Sequence, residues 1–300
     1  KALVVMVDVL NLMQELQSKI LFLIRSQSRT MTEKSDIYKY SDQYVKYWSP
    51  QAYAQQRGIG DQSPSLVECY KAHLQHYHDI FAKGNIKGNR IVDIGTGPIV
   101  FLSAIPALFF DEVYWSDYVA SNRTALNDWL LQNENAIDWS RSFDFIKSLL
   151  QKNDAMQRMC TDDLQSLLRH KVRGIYFCDV LSDHPLAPWE SEQFDCISTS
   201  YCLEGACTSV KLFEDAIRHL GSLLKPGGNL ISSTFIGDKY YYVGSNKIEC
   251  LYLTQSEIEQ AHQKAGLNIV KSYTWYPPVD LDPSPVDVFE GFVTVHAVKP

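Results

Sequence analysis

The sequence predicts an α/β fold built on a doubly wound, mainly parallel sheet of seven strands. Short apolar segments alternate with helical segments from residue 90 to residue 298. The first apolar segment breaks into a glycine turn at residues 93–97, and a Lys-Pro-Gly-Gly breaker at residues 225–228 separates a helix from the next strand. Strands that alternate with helices are typical of parallel sheets, because each crossover helix lets the next strand run in the same direction.

The strands are predicted where apolar runs end in turn or acidic residues. They cover residues 90–94, 112–116, 174–178, 194–199, 229–235, 267–275 and 292–298. The helices are predicted over residues 65–81, 100–109, 121–132, 146–170, 212–224 and 256–265. Helical periodicity is clear in the first of them, where Leu66, Tyr70 and Leu74 share one face.

The N-terminal part of the chain differs from the rest. Residues 1–30 are apolar, but Asp8, Glu15 and Lys19 interrupt them, so they do not form a membrane span. We interpret them as an extension outside the core fold, of uncertain role. Residues 33–60 are polar and rich in tyrosine, which predicts short helices that cover a surface.

The remaining chain has the length of one large α/β domain. We expect a single domain of residues 31–300, with an N-terminal helical lid, or cap, at residues 31–88 and an α/β core at residues 89–300.

Composition excludes several classes of protein. The net charge of −7 argues against a nucleic-acid-binding protein, which would show a basic face. The seven cysteines show no CxxC or zinc spacing, which favours free thiols in a reducing cytoplasm. No His, Asp and Glu cluster calls for a metal. We therefore expect a cytoplasmic monomer that has a small-molecule substrate and no nucleic-acid, membrane or metal partner.

The glycine turn at residues 93–97 predicts a nucleotide-like cofactor. Gly95 and Gly97 let the backbone approach a ligand closely, because they lack a Cβ atom. Val100 stands where a dinucleotide fingerprint has its third glycine, which disfavours an NAD(P) oxidoreductase. Asp117 ends the second strand about 20 residues after the turn, where a carboxylate can accept hydrogen bonds from a ribose. Its alternative interpretation is a helix N-cap.

Asp179 follows the end of the third strand, where the edge of an adenine would lie. The alternative, equally supported, is that Asp179 is a loop carboxylate that binds no ligand. The glycine turn, Asp117, Asp179 and the Lys-Pro-Gly-Gly breaker before the fifth strand follow one another in this order along the chain. Together they favour a cofactor of the S-adenosyl-L-methionine (SAM) type. A glycine turn that binds no ligand would be a competitive interpretation if the turn stood alone.

The motifs together resemble the nicotinamide, phenylethanolamine and indolethylamine (thioether) N-methyltransferases, from about residue 47 to the C-terminus. The matching segments are residues 93–98 (DIGTGP), 116–118 with Asn122, 178–180 (CDV), 202–207 (CLEGAC) and 220–228 (LGSLLKPGG), and residues 48–53 (WSPQAY) resemble the family's cofactor-covering segment. The resemblance implies a class I SAM-dependent fold and transfer of a methyl group to a small amine or pyridine, giving S-adenosylhomocysteine (SAH). The alternative is a SAM-binding sensor or scaffold with little catalysis.

The resemblance also implies a cofactor site. Tyr53 would bind the SAM carboxylate, and Ser200 would contact the methionine end. The turn would line the methionine part, Asp117 and Asn122 would hold the ribose, and Asp179 and Val180 would flank the adenine. The full implied set is Tyr53, Gly95, Thr96, Gly97, Asp117, Tyr118, Asn122, Asp179, Val180 and Ser200.

For the acceptor, the resemblance implies Glu204 and Asp287 as catalytic acids or bases and Tyr241 as the ring that stacks on the substrate. Each residue has an alternative interpretation. Glu204 would be a carboxylate at the start of a helix, where the helix dipole favours it. Asp287 would be a solvated loop residue, and Tyr241 would be an ordinary residue of a strand. A carboxylate can orient an amine and take up its proton.

This chain departs from the family at two positions. Thr234 stands where relatives that act on nicotinamide or phenylethanolamine carry Asp or Glu, so the resemblance implies that Thr234 lies in the substrate-binding site. Asp238 is a nearby candidate to replace that carboxylate in binding the substrate. Gly58 stands where the family has a second tyrosine, and Tyr44 and Tyr47 are the candidates to close the lid instead.

Overall fold

The computed structural model describes residues 37–38, 41–84, 86–150, 159–187 and 193–300. Seven strands form one large sheet in the order β4-β3-β2-β5-β6-β11-β9. In chain order these strands are β2 (Gly88–Ile94), β3 (Phe110–Asp117), β4 (Val172–Phe177), β5 (Phe194–Ser200), β6 (Leu224–Ile236), β9 (Asn268–Trp275) and β11 (Gly291–Val298). Only β11 runs antiparallel to its two neighbours, so the predicted mainly parallel, doubly wound sheet is confirmed.

Helices cover both faces of this sheet, which is why its central strands are apolar throughout. Ile91, Val92 and Ile94 of β2 are all buried, although neighbouring side chains point to opposite faces. Two apolar clusters fill the two sides. The helices are Ser41–Tyr47, Pro50–Gln56, Pro64–His78 with a π-helical turn at Asp79–Lys83, Ala120–Leu131, Ser140–Leu150, Thr161–Lys171, Leu203–Ala206, Val210–Ser222 and Gln255–Lys264.

The helix predicted over residues 100–109 is wrong. The structure has two short 3₁₀ turns there, Phe101–Ser103 and Pro106–Leu108. Pro106 has no amide hydrogen and its ring collides with the carbonyl four residues earlier, so an α-helix cannot continue through it.

The single helix predicted over residues 146–170 is also wrong. Two helices, Ser140–Leu150 and Thr161–Lys171, occupy the described parts of this region, and residues 151–158 lie outside the described residues. A capping box begins the second helix: the Asp163 N–H donates to Cys160 Sγ (3.4 Å) and the Cys160 N–H donates to the Asp163 carboxylate (2.8 Å).

A second, four-stranded sheet lies over one end of the large one, and the sequence did not predict it. Its order is β1-β8-β7-β10, with β1 at Ile37–Tyr38, β7 at Tyr240–Val243, β8 at Asn246–Glu249 and β10 at Asp287–Val288. The N-terminal strand β1 pairs in parallel with β8, and β10 pairs antiparallel with β7. This sheet therefore joins the N-terminal segment to the loop after β6.

The short helices predicted between residues 33 and 60 are confirmed as Ser41–Tyr47 and Pro50–Gln56. Pro50 starts the second of them, where its missing N–H costs nothing, and the Ser49 hydroxyl accepts from the Ala52 N–H (3.3 Å). The extension predicted at residues 1–30 lies outside the described residues. Within the described ranges, the helices lack the combination of length and apolar character that crossing a bilayer requires.

Candidate functional site

A cavity of about 340 Å³ opens at the carboxyl ends of β2, β3, β4 and β5. The carboxyl edge of a parallel sheet is where α/β proteins bind ligands, because the loops after the strands converge there. All ten residues predicted to hold the cofactor line this cavity: Tyr53, Gly95, Thr96, Gly97, Asp117, Tyr118, Asn122, Asp179, Val180 and Ser200.

The glycine turn after β2 needs glycine at both positions. Gly95 and Gly97 have φ values of +68° and +60°, a region that other residues rarely adopt. A Cβ atom on Gly95 would collide with the side chain of Cys202, whereas one on Gly97 would point into open space. The turn therefore packs against Cys202 on one side and presents bare backbone to the cavity on the other.

Asp117 connects three parts of the cavity wall. Its Oδ2 accepts from the Gly97 N–H (2.8 Å), and its Oδ1 accepts from the Val119 N–H (2.8 Å) and from Asn122 Nδ2 (3.1 Å). Burial raises the pKa of this carboxyl, while the three donors act in the opposite direction. Asp117 thus holds the turn and the residue that precedes the next helix, and it lines the cavity. The N-cap of that helix is Val119, so the alternative of Asp117 as the N-cap is wrong.

Asp93, whose role the sequence left undefined, organises the turn from beneath. Ser198 Oγ donates to Asp93 Oδ1 (2.7 Å), and the Asp93 carbonyl accepts from Ser116 Oγ (3.0 Å) and Thr96 Oγ1 (3.1 Å). Burial raises the pKa of Asp93 to about 6, against the lowering effect of the Ser198 hydrogen bond. Its partners lie on β3, on β5 and in the turn, so Asp93 joins three neighbouring segments.

Aromatic side chains of the N-terminal helices line the cavity from above. The Trp48 indole packs on Tyr44 and Tyr53 at centroid distances of 4.8 and 4.7 Å. The indole N–H donates to Asn122 Oδ1 (2.6 Å), which links this cover to the Asp117 network. A tyrosine at position 58 would not fit, because Gly58 has a φ of +100° and its Cβ would lie 2.8 Å from Trp139. Of the two candidates to replace it, Tyr44 lines the cavity.

A second, smaller cavity of about 20 Å³ adjoins the first and is called the inner cavity below. The two share Tyr53, Tyr201 and Tyr241 as wall residues. Its complete lining is Tyr53, Arg57, Leu66, Tyr70, Tyr201, Glu204, Phe235, Asp238, Tyr241, Cys250 and Asp287. Four of the predicted acceptor residues therefore meet at one place: Glu204, Asp238, Tyr241 and Asp287.

Asp287 is buried in an ion pair, which overturns the alternative of a solvated loop residue. Arg57 Nη2 lies 2.6 Å from Asp287 Oδ1, and the two side chains are only 3% and 4% exposed. The same nitrogen donates to the Tyr242 carbonyl (3.3 Å). Burial raises the pKa of Asp287 to about 6, and Arg57 acts against that rise.

Glu204 is equally buried but has no cationic partner within the described residues. Its Oε1 accepts from the Phe235 N–H (2.9 Å), whereas its Oε2 makes no hydrogen bond. Burial raises the pKa of Glu204 from 4.5 to about 7, and the Phe235 hydrogen bond opposes this. It lies in the first turn of the helix Leu203–Ala206, so both interpretations made from the sequence describe its position.

Asp238 and Thr234 have different environments. Asp238 is buried in the wall of the inner cavity, and desolvation, followed by the charge of Asp287, raises its pKa well above the usual value. Thr234 is buried too, but it lines neither of the two cavities described here. The neighbouring Phe235 does face the inner cavity, and successive strand residues point to opposite faces, so β6 turns the Thr234 side chain away. The structure therefore does not bring Thr234 to the acceptor site as predicted.

Two residues of the site were missed from the sequence. Arg57 follows a run of polar residues with no motif around it, and Tyr201 follows β5 without a glycine to mark a turn. Tyr201 has a φ of +56°, an uncommon value for a bulky residue, and it lines both cavities. Residues in such uncommon backbone conformations cluster at active and ligand-binding sites.

Tyr241 stands between the two cavities, and its stacking surface is partly occupied. Trp48 and Tyr53 approach it edge-on at 6.4 and 6.3 Å, and the Arg57 guanidinium lies 5.8 Å from its centroid. Among the described residues, no group of His, Cys, Asp and Glu side chains is arranged to hold a metal ion.

We expect the variant Glu204→Gln to become more stable relative to the wild type as the pH rises from 4.5 to about 7. The folded protein holds the Glu204 proton up to about pH 7, but the unfolded chain releases it near 4.5. The resulting loss of stability is absent below pH 4.5 and complete above pH 7, and it amounts to about 3 kcal/mol at most. Glutamine cannot ionise and can keep the hydrogen bond from Phe235.

Urea unfolding of both proteins at a series of pH values measures this difference. The exposed Glu134→Gln is the matched control and should follow the wild type throughout. Parallel stability curves for Glu204→Gln and the wild type would contradict the raised pKa of Glu204.

Comparisons with solved structures agree with the fold. Magnesium protoporphyrin IX methyltransferase from Synechocystis PCC 6803 aligns with a TM-score of 0.51 at 14% identity, over 86% of this chain and 94% of that chain. The cyclase SpnF aligns with a TM-score of 0.54 at 11% identity, over 89% and 98%. Since one is a methyltransferase and the other a cyclase, these likenesses show the fold alone.

Sequence comparisons are more specific. Indolethylamine N-methyltransferase of Oryctolagus cuniculus is 31% identical over 76% of this chain and 85% of that protein, and nicotinamide N-methyltransferase of Homo sapiens is 29% identical over the same shares. Phenylethanolamine N-methyltransferase of Homo sapiens is 25% identical over 73% and 76%. A model of the NNMT/PNMT/TEMT family matches residues 36–291. The chain therefore belongs to the NNMT/PNMT/TEMT family.

Proposed function

We propose that the protein is a SAM-dependent N-methyltransferase that methylates a small amine or pyridine and gives SAH. The observation that carries this proposal is the junction of the two cavities at Tyr53, Tyr201 and Tyr241. The larger cavity has the residues expected for the cofactor, and the smaller one has carboxyl groups suited to a basic acceptor. The N-methyltransferase names of the relatives support the same reaction.

The residues present fit SAM. The cavity of about 340 Å³ lies within the size range of small-molecule sites. The open space at the Cβ position of Gly97 allows a ligand to lie against bare backbone. Asp117 and Asn122 would hold the ribose, Asp179 and Val180 would flank the adenine, and Tyr53, Ser200 and the turn would hold the methionine part. When bound, SAM supplies an electrophilic methyl group.

The protein itself would supply alignment, exclusion of water and a proton acceptor. Trp48, Tyr44 and Tyr53 cover the cavity and would exclude water, and the walls that Tyr53 and Tyr241 share with the inner cavity would hold the acceptor in one orientation. A fixed reactive geometry removes much of the entropic part of the barrier. An alkyl amine must lose its proton before its lone pair can attack, and Glu204, with a pKa near neutrality, is suited to take it.

The same proposal includes the organisation and setting of the chain. Residues 31–88 would act as the cap of a catalytic core at residues 89–300, in a monomer that acts in the cytoplasm without nucleic acid or membrane. The seven cysteines are free, as is typical of a reducing compartment, and the net charge is −7.

Two measurements test the function: calorimetric binding of SAH, and transfer of labelled methyl from SAM to a panel of pyridines, arylethylamines and aliphatic amines. We expect SAH binding and methylation of at least one acceptor class. SAH binding without transfer to any of them would favour the sensor or scaffold alternative. Failure to bind SAH would overturn both.

A further inference from the structure

The inner cavity has room for one small polar group and not for a ring. Its volume of about 20 Å³ is just above what a single water molecule needs. An ammonium head has about that size, whereas the six-membered ring of a pyridine does not fit. The size of the inner cavity therefore separates the two acceptor classes that the proposed function leaves open.

The polar atoms around this cavity lack partners. Glu204 Oε2, Asp238 Oδ1 and Asp287 Oδ2 are buried and make no hydrogen bond within the described part of the chain, and the same is true of Arg57 Nη1. The residues Glu204 and Asp238 are only 2% and 3% exposed. A buried acceptor without a hydrogen bond is energetically costly, because it has lost its bonds to water. A group that fills the cavity and donates hydrogen bonds would remove this cost at both carboxyl groups.

Arg57 balances the charge of the third carboxyl group of the cavity. Arg57 Nη2 lies 2.6 Å from Asp287 Oδ1, so Asp287 adds little net charge to the cavity, although its Oδ2 makes no hydrogen bond. Glu204 and Asp238 have no such cation among the described residues. The cavity therefore has a surplus of acidic groups on the side of Glu204 and Asp238.

A protonated alkyl amine matches these requirements. Its ammonium group has three donors and no acceptor, so it can bond to both carboxyl groups at once. A neutral pyridine nitrogen has no donor, so it can bond to at most one of the two carboxyl groups, and only while that group keeps its proton. The aromatic side chains Tyr53 and Tyr241 at the junction of the cavities can contact the apolar part of such an amine.

We propose that the acceptor is an alkyl amine whose ammonium head binds in the inner cavity between Glu204 and Asp238. The charge of Asp287 is balanced by Arg57. This position of the ammonium head makes Asp238 a specificity-determining residue and selects alkyl amines over pyridines. The inference rests on the proposed function, since it identifies the head group by charge and size in the same site.

Binding to the SAH complex tests this inference separately from catalysis. Calorimetry would measure the affinity of the SAH complex for two amines, 2-phenylethylamine and n-butylamine, and for their neutral counterparts, 2-phenylethanol and n-butanol. The affinity for pyridine would be measured in the same way and compared with these four. We expect at least one amine to bind at least tenfold more tightly than its alcohol and than pyridine. Absence of methyl transfer in a protein that shows this preference would overturn only the proposed function.

Variants test whether Glu204 and Asp238 cause the preference for an amine over its alcohol. Asp238→Asn and Glu204→Gln should each reduce the ratio of amine to alcohol affinity about tenfold, while SAH affinity, which reports an intact fold, stays unchanged. The exposed Asp282→Asn is the matched control and should keep the wild-type ratio. The inference is overturned if no amine binds, if the alcohol or pyridine binds as tightly as the amine, or if both variants keep the wild-type ratio.

Discussion

Replacing Asp117 with alanine should weaken SAH binding at least about 100-fold. Hydrogen bonds to a carboxylate contribute about 1.5–3 kcal/mol each, and two bonds to a ribose account for roughly 3 kcal/mol or more. The variant also loses the acceptor for Gly97, Val119 and Asn122, so the turn and the following helix lose their common anchor. Isothermal titration calorimetry with SAH measures the affinity, and thermal unfolding measures the lower Tm that we also expect.

A matched variant separates a local effect from a general one. Asp282→Ala removes a carboxylate from an exposed loop and should bind SAH as the wild type does. If Asp117→Ala keeps full affinity for SAH, Asp117 does not belong to the cofactor site, and its contacts serve only to hold the glycine turn and the segment between β3 and the next helix.

Replacing Arg57 with methionine should destabilise the protein by about 3–5 kcal/mol. The change leaves Asp287 buried without its cation, and an uncompensated buried charge is among the costliest defects in a folded protein. The loss should grow as the pH rises, because Asp287 can avoid the penalty only by keeping a proton. Urea unfolding near neutral pH measures the free energy of unfolding.

The double variant Arg57→Met/Asp287→Leu tests the cause of that loss. It removes both charges, and exchange of a buried pair for apolar residues of similar volume is often neutral or stabilising. We expect it to recover most of the stability lost in Arg57→Met. If the double variant is as unstable as the single one, the loss arises from the packing of Arg57 on Tyr53, where the guanidinium lies 4.5 Å from the ring.

The seven strands of the large sheet could be predicted because each is a short apolar run between turn residues. The failures lie where local periodicity is a poor guide. Residues 100–109 are apolar enough for a buried helix, but Pro106 allows only short turns. A strand at Tyr241 was only an alternative, and its pairing with the distant strand β10 leaves no local pattern in the sequence, so the small sheet as a whole was not predicted.

The two halves of the candidate site differ in the same way. The cofactor residues Gly95, Asp117 and Asp179 follow strands, and the ends of parallel strands meet at one edge, so their order along the chain already places them together. The acceptor residues come from elements more than 200 positions apart, as Arg57 and Asp287 do. No spacing rule predicts such a pair, and Asp287 alone looks like a loop residue.

The sequence by itself determined the α/β fold, the glycine turn with its cofactor class, and the family, because each depends on local patterns in chain order. Only the tertiary structure decided that Arg57 neutralises Asp287, that one carboxyl oxygen each of Glu204 and Asp238 has no hydrogen bond within the described residues, and that Thr234 faces away from both cavities. The physical reason is that burial and pairing set the charge of an ionisable group, and both depend on neighbours that the chain brings together only when it folds.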